Sequence, residues 1–169
     1  MRPERLFIDF EACSLRPDTW PIEVGLAWIE PDGSINSDAH LIRPDPTWPL
    51  DAWDEGSADV HGISLADLAQ APPALDVALW VRDHAAGIPL VSDAPGMDWI
   101  WLDRLMEVAE FGAPDILSFH ALAKQTFDTA GLRALRSALS LVPKPHRAEA
   151  DARQLATAWA AAMRACGKR

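Results

Sequence analysis

The sequence predicts an α/β fold in which helices flank a central mixed five-stranded sheet. Three observations point to it. Strand-length runs of apolar or alternating residues fall at positions 6–13, 22–29, 35–42, 88–91 and 115–119. The first three follow one another across a loop and a turn, as the antiparallel start of a sheet does. Stretches of helical periodicity at 72–86, 99–106, 119–141 and 149–163 alternate with the last two runs or follow them.

At 169 residues the chain has the length of one domain with a real core, and its 49% hydrophobic content excludes a disordered chain. A single domain over 1–169 is expected. No apolar run approaches the roughly 18 residues of a membrane span, so no membrane partner is expected. Positions 1–5 lead straight into the first strand without a signal-peptide core, which makes a cytoplasmic location the expectation. Cys13 and Cys166 are the only cysteines, and their separation in a reducing compartment speaks against a disulfide. The formal net charge of −10 argues against a broad electrostatic footprint on long duplexes. It does not exclude nucleic acid, because bound cations invert the sign locally.

In the first strand, Leu6, Phe7 and Ile8 begin a buried run, and Asp9 and Glu11 are set two residues apart within it. Residues two apart on a strand point to one face, so the two carboxylates sit side by side. Phe7 would alternate with them only if the strand were half exposed. Adjacent carboxylates at the end of a buried strand repel and lose hydration, and a hard divalent cation with oxygen ligands compensates. A strand running into a solvated turn fits the same pattern.

The second and third strands join at Pro31, Asp32 and Gly33, a turn signal. Positions 43–59, rich in Pro, Trp and Asp, read as a loop carrying a short helix. Ser64 with Asp67 reads as a helix cap with an acid in the first turn, and His61 precedes it. The fourth strand feeds positions 92–98 toward the mouth of the sheet, and Trp99, Leu102, Leu105 and Met106 mark the helix that follows. Positions 119–141 read as two helical pieces around Gly131. Pro143 and Pro145 make 142–145 an extended lead-in that presents His146. In the Ala-rich helix beyond, Asp151, Leu155 and Ala158 share a face, which turns the acid toward the core. An acid placed only to complement the helix dipole is the alternative. Positions 166–169 read as a frayed tail.

The order Asp9-x-Glu11, Asp98, His146-x4-Asp151, with Val60-His61-Gly62-Ile63 between, resembles the DEDDh family of 3′–5′ exonucleases. That family has a ribonuclease H-like fold and includes ribonuclease T, oligoribonuclease and bacterial proofreading exonuclease subunits. The resemblance spans roughly positions 6–159. One stretch departs from it. The common Asn-x-x-Phe-Asp is here Ala94-Pro95-Gly96-Met97-Asp98. Aligning on the apolar helix that follows puts the carboxylate at Asp98, with Asp93 a turn former or supporting group. Whether Asp93 shares or replaces the role of Asp98 stays open.

The resemblance implies a metal-dependent 3′–5′ exonuclease that releases nucleoside 5′-monophosphates from single-stranded or short nucleic acids. It implies two divalent cations, Mg²⁺ or Mn²⁺, held by Asp9, Glu11, Asp98 and Asp151, with Asp9 bridging and His146 as general base. All-oxygen coordination suits these ions, and no Cys–His cluster suggests zinc. Ala12, Cys13, Leu15 and His61 stand at the matching substrate-contact positions. The implied partners are single-stranded RNA or DNA and short oligonucleotides. Members of that family are often homodimers, although no segment here identifies an interface. Among the eight tryptophans, Trp99 or Trp20 could stack on a base, while Trp101 reads as core. Two other readings remain: a phosphodiesterase for small dinucleotides, and a non-catalytic ribonuclease H-like binding module.

Overall fold

A computed structural model describes residues 2–141 and 146–167, so the lead-in at 142–145 and the last two residues of the tail lie outside the described residues. Strands β1 (Leu6–Ala12), β2 (Pro21–Ile29), β3 (Ile35–Leu41), β4 (Leu90–Ser92) and β5 (Ile116–Ser118) form one sheet in the order β3-β2-β1-β4-β5. The pairs β1–β2 and β2–β3 are antiparallel, and β1–β4 and β4–β5 are parallel. The helices are α1 (Glu55–His61), α2 (Leu65–Gln70), α3 (Ala74–Ala85), α4 (Pro95–Glu107), α5 (Phe119–Thr126), α6 (Thr129–Ser140) and α7 (Ala148–Ala165). None is long and apolar enough to cross a membrane.

The central place of β1 explains its sequence. Leu6, Ile8 and Phe10 enter one core with Val77 and Val81 of α3 and Leu102 and Leu105 of α4. Phe7 enters a second core on the other face, with Phe119, Leu155 and Trp159. Phe7, two residues before Asp9, shares the face of Asp9 and Glu11 and does not alternate with them, and both faces are covered. That face begins apolar and ends acidic, under α7.

Three local expectations are corrected. The break in 119–141 falls at Phe127 and Asp128, where Asp128 Oδ1 accepts the Gly131 amide (2.9 Å) and caps α6. Gly131 lies inside α6 because α7 approaches it: a Cβ there would sit 2.5 Å from Cys166 Sγ and 2.9 Å from Phe127 Cβ. Cys166 therefore packs against α6 and is not frayed. Both cysteines are free thiols. Trp20 is fully buried, stacked on Trp48 at 5.9 Å, with its indole N–H donating to Pro49 O (2.9 Å). It has no face to offer a base. Trp101 is buried, as expected.

Candidate active site

Asp9, Glu11 and Asp151 each bring a carboxylate oxygen to within 4.8 Å of the other two. Two come from the C-terminal half of β1 and the third from the first turn of α7. Asp9 and Asp151 are buried, at 8% and 3% exposure. The β-spacing supplies the pair Asp9 and Glu11, and the face shared by Asp151, Leu155 and Ala158 turns Asp151 inward, where all three of those residues are buried. Three hard oxygen donors this close fit a divalent cation such as Mg²⁺ or Mn²⁺. The positive end of α7 adds a fixed partial charge beside them.

Gly25 makes this approach possible. It lies opposite Asp9 in the β1–β2 register, so the side chain it lacks would share the face of Asp9. A Cβ there would sit 2.2 Å from Ala148 C, 2.3 Å from Ala148 O and 2.4 Å from Glu149 N. The first turn of α7 rests directly on this glycine.

Asp98 is not one of the three acids that meet within 4.8 Å. It is buried, but in the first turn of α4 and not in a loop, because Pro95 opens the helix earlier than the sequence pattern suggested. Ser92 Oγ donates to Asp98 Oδ2 and accepts the Ala94 amide (2.9 Å). That fully buried serine ties the end of β4 to α4. Asp93 is half-buried at the bend between them.

His146 is exposed, lies outside the carboxylate cluster, and adopts a left-handed backbone with φ 52°. Such a conformation in a residue other than glycine persists only when its surroundings hold it. The next residue is strongly held. Arg147 Nη2 donates to Glu23 Oε1 (2.6 Å) and Arg147 Nε to Glu23 Oε2 (3.1 Å). The hydrogen bond to Glu23 raises the guanidinium pKa above its ordinary value, and the charges of Glu11 and Glu149 act in the same direction. Glu23 and Arg147 were not legible as site residues. A charge inside the apolar run of β2 was the available signal, since a buried carboxylate demands a partner.

The expected substrate contacts divide. Leu15 is 79% exposed just beyond the cluster-bearing strand, and Ala12 ends that strand. Cys13 is fully buried; its amide donates to Trp20 O (3.0 Å) and its carbonyl accepts the Asp54 amide (3.0 Å). His61 also points inward, because α1 carries it against Trp53. Its Nδ1 accepts the Ile63 amide (3.1 Å), which leaves the proton on a buried Nε2 without a partner.

Burial lowers the His61 pKa below its ordinary 6.5; the charges of Arg147 and His146 add to this and that of Glu23 opposes it. The unfolded chain therefore binds the proton first as pH falls through about 6.5, and folding stability drops below that point. We expect the melting temperature of the parent protein to fall more between about pH 6.5 and 5 than that of His61→Gln, which lacks this group. Parallel declines would remove His61 as the source.

No family model matches the sequence, and no curated protein matches it. Solved structures do match in shape. A 3′-exonuclease solved for 3′-end specific recognition of a histone mRNA stem-loop aligns with 99% of this chain and 84% of its own, at TM-score 0.70 and 16% identity. The fold is ribonuclease H-like. Exonuclease X in complex with 5′ overhanging duplex DNA aligns over 97% of this chain and 93% of its own, at TM-score 0.62 and 22% identity. Escherichia coli exonuclease I, in a zinc-bound complex with single-stranded DNA, aligns over 97% of this chain at TM-score 0.67 and 12% identity; the match spans 41% of that longer protein. In this ribonuclease H-like frame, the carboxylate cluster lies at the C-terminal end of the central strand.

Proposed function

We propose that this chain is a metal-dependent 3′–5′ exonuclease that hydrolyses phosphodiester bonds at the 3′ end of single-stranded or short nucleic acids. The observation that carries the reading is the convergence of Asp9, Glu11 and Asp151 within 4.8 Å, from two elements far apart in sequence. Asp9, Glu11 and Asp151, with Asp98 completing the set, would hold two divalent cations, Mg²⁺ or Mn²⁺. When bound, such a pair supplies Lewis-acid activation of water and stabilisation of the leaving 3′ oxygen. His146 would take the proton of the attacking water on its imidazole, as a general base does. Ala12 borders the terminal sugar, and the exposed Leu15 wedges at the terminal base. Trp99, partly exposed beside Asp98, offers a stacking face. His61 borders the nucleotide on this reading, close enough to Glu23, Arg147 and His146 to feel their charges. The net charge of −10 favours short or single-stranded substrates over long duplexes. The product is a nucleoside 5′-monophosphate, and a homodimer in a cytoplasmic setting accords with this activity.

The test is an end-labelled assay. We expect 5′-labelled single-stranded RNA or DNA to shorten stepwise from the 3′ end in Mn²⁺ or Mg²⁺, and to stay intact in EDTA. His146→Ala should lower kcat by about 10²–10⁴-fold, the usual contribution of a general base. Its Mn²⁺ affinity by calorimetry should be unchanged. Undiminished cleavage would remove His146 as the base. The departure of the stretch around Asp98 from the family pattern, with its carboxylate bonded to Ser92, favours a second reading, a non-catalytic binding module. Oligonucleotide binding without cleavage at any length, with Mn²⁺ bound, would select it. Cleavage confined to dinucleotides would select a small phosphodiesterase.

A further inference from the structure

We propose that Glu23 is a positioning residue of this site, holding the segment that carries His146 and Asp151 by way of Arg147 and the Ala148 amide. Glu23 is 3% exposed and lies directly opposite Glu11 in the β1–β2 register. Opposite residues of an antiparallel pair point to the same face. Glu23 therefore stands on the face of the carboxylate cluster without being one of its three clustered acids. Two like charges across a strand pair destabilise the sheet unless a cation intervenes, and here Arg147 intervenes.

The arrangement joins three parts of the chain. The Glu23 carboxylate accepts from Arg147 Nε and Nη2, and its Oε2 accepts the Ala148 amide (2.9 Å). Helix α7 begins at Ala148, and its own cap residue, Arg147, provides no side-chain cap. Glu23 thus caps α7 from a different element, satisfying an amide that the helix cannot. The Arg147 amide in turn donates to Asp151 Oδ2 (3.2 Å). Arg147 is consequently fixed at both ends, by β2 through its side chain and by a cluster carboxylate through its backbone. Its neighbour His146 enters with φ 52°, a conformation that needs such fixing. A salt bridge on the surface contributes little, but this one has its acid buried and two further bonds depending on it.

This inference rests on the exonuclease reading for His146, but on geometry alone for Asp151. The experiment reads both. Glu23→Gln, Glu23→Ala, Arg147→Ala, Arg147→Lys and the double alanine variant are compared for Mn²⁺ affinity by calorimetry and for kcat and KM on a labelled oligonucleotide, with melting temperatures to confirm folding. We expect Glu23→Ala and Arg147→Ala each to weaken Mn²⁺ binding or lower kcat by about 10–100-fold, as for partners that orient metal ligands, with KM within a factor of about three. The double variant should be no worse than the poorer single one, since the two residues act as one unit. Glu23→Gln, which keeps acceptor atoms, and Arg147→Lys should recover part of the loss. Parental Mn²⁺ affinity and kcat in Glu23→Gln and Glu23→Ala would overturn the proposal. Losses confined to KM would overturn it as well, making Arg147 a substrate contact. A parent protein that binds Mn²⁺ without cleaving anything overturns the exonuclease reading alone, and the affinities still decide the role of Glu23.

Discussion

Replacing Asp9 by Asn abolishes cleavage and raises the melting temperature of the metal-free protein; that pair of opposite effects is the expected result with the largest change in activity. Asp9 is nearly buried in the central strand, within 4.8 Å of two other carboxylates. Ionised groups at that separation repel by about 3 kcal/mol per pair at an effective dielectric near 20. On the proposed reading this cost is the trade of stability for activity expected at a cation site. Asn keeps the shape and removes one charge, so the metal-free fold relaxes. Each kcal/mol relieved should raise the melting temperature by about 2–4 °C in a domain of this size. Saturating Mn²⁺ should reverse the order. It stabilises the parent by about 2.7 kcal/mol at a hundred times its dissociation constant, and a variant that cannot hold it gains nothing. Cleavage should fall about 10³-fold or more, the equivalent of the several kcal/mol that cation chemistry contributes. Thermal melts with and without Mn²⁺, beside the end-labelled assay, check all of this. A lower melting temperature for metal-free Asp9→Asn would mean that Asp9 serves the fold and not a cation.

Local spacing carried the parts of this molecule that local spacing determines. The five strands and the antiparallel start of a mixed sheet were legible because β-runs, turns and helical periods are properties of short windows. The pairing of Asp9 with Glu11 and the inward turn of Asp151 followed from periods of two and of three to four. Relations between distant elements were not legible. Phe7 shares a face with the acids by the strand's period of two, but its burial there depends on α5 and α7 covering that side, which no feature of β1 alone reveals. Cys13 and Trp20 vanish into the interior because a turn folds over them. Asp98 moves into a helix and onto Ser92 because Pro95 starts α4 early. Glu23 and Gly25 looked like ordinary members of a strand. A lone acid and a glycine inside an otherwise apolar run are, however, the marks of a buried ion pair and of a close backbone approach. Those two irregularities in β2 hold and admit the first turn of α7.

Gly25→Ala is the second large effect, and it acts on structure and activity together. The added methyl would meet three backbone atoms of α7 at 2.2–2.4 Å, where ordinary contact begins near 3.4 Å. No side chain can rotate away, so the first turn of the helix must back off by about 1 Å. Overpacking of this kind costs about 1–3 kcal/mol, and more where backbone is struck, so a loss of several degrees in melting temperature is expected. The same retreat stretches the Glu23 bond to Ala148 and carries Asp151 away from Asp9 and Glu11. Displacements near 1 Å at a reacting centre cost about 10²-fold in rate, and Mn²⁺ affinity should fall with them. Gly112→Ala is the matched control, because a Cβ there meets nothing within 4 Å. It should leave the melting temperature level or slightly raised. If Gly25→Ala melts and cleaves like the parent, α7 does not rest on β2 as closely as the geometry requires, and the convergence of Asp151 with the strand carboxylates loses its support. If it melts like the parent but loses Mn²⁺ binding, the helix has shifted without unfolding, and the glycine's whole purpose is to bring the third carboxylate home.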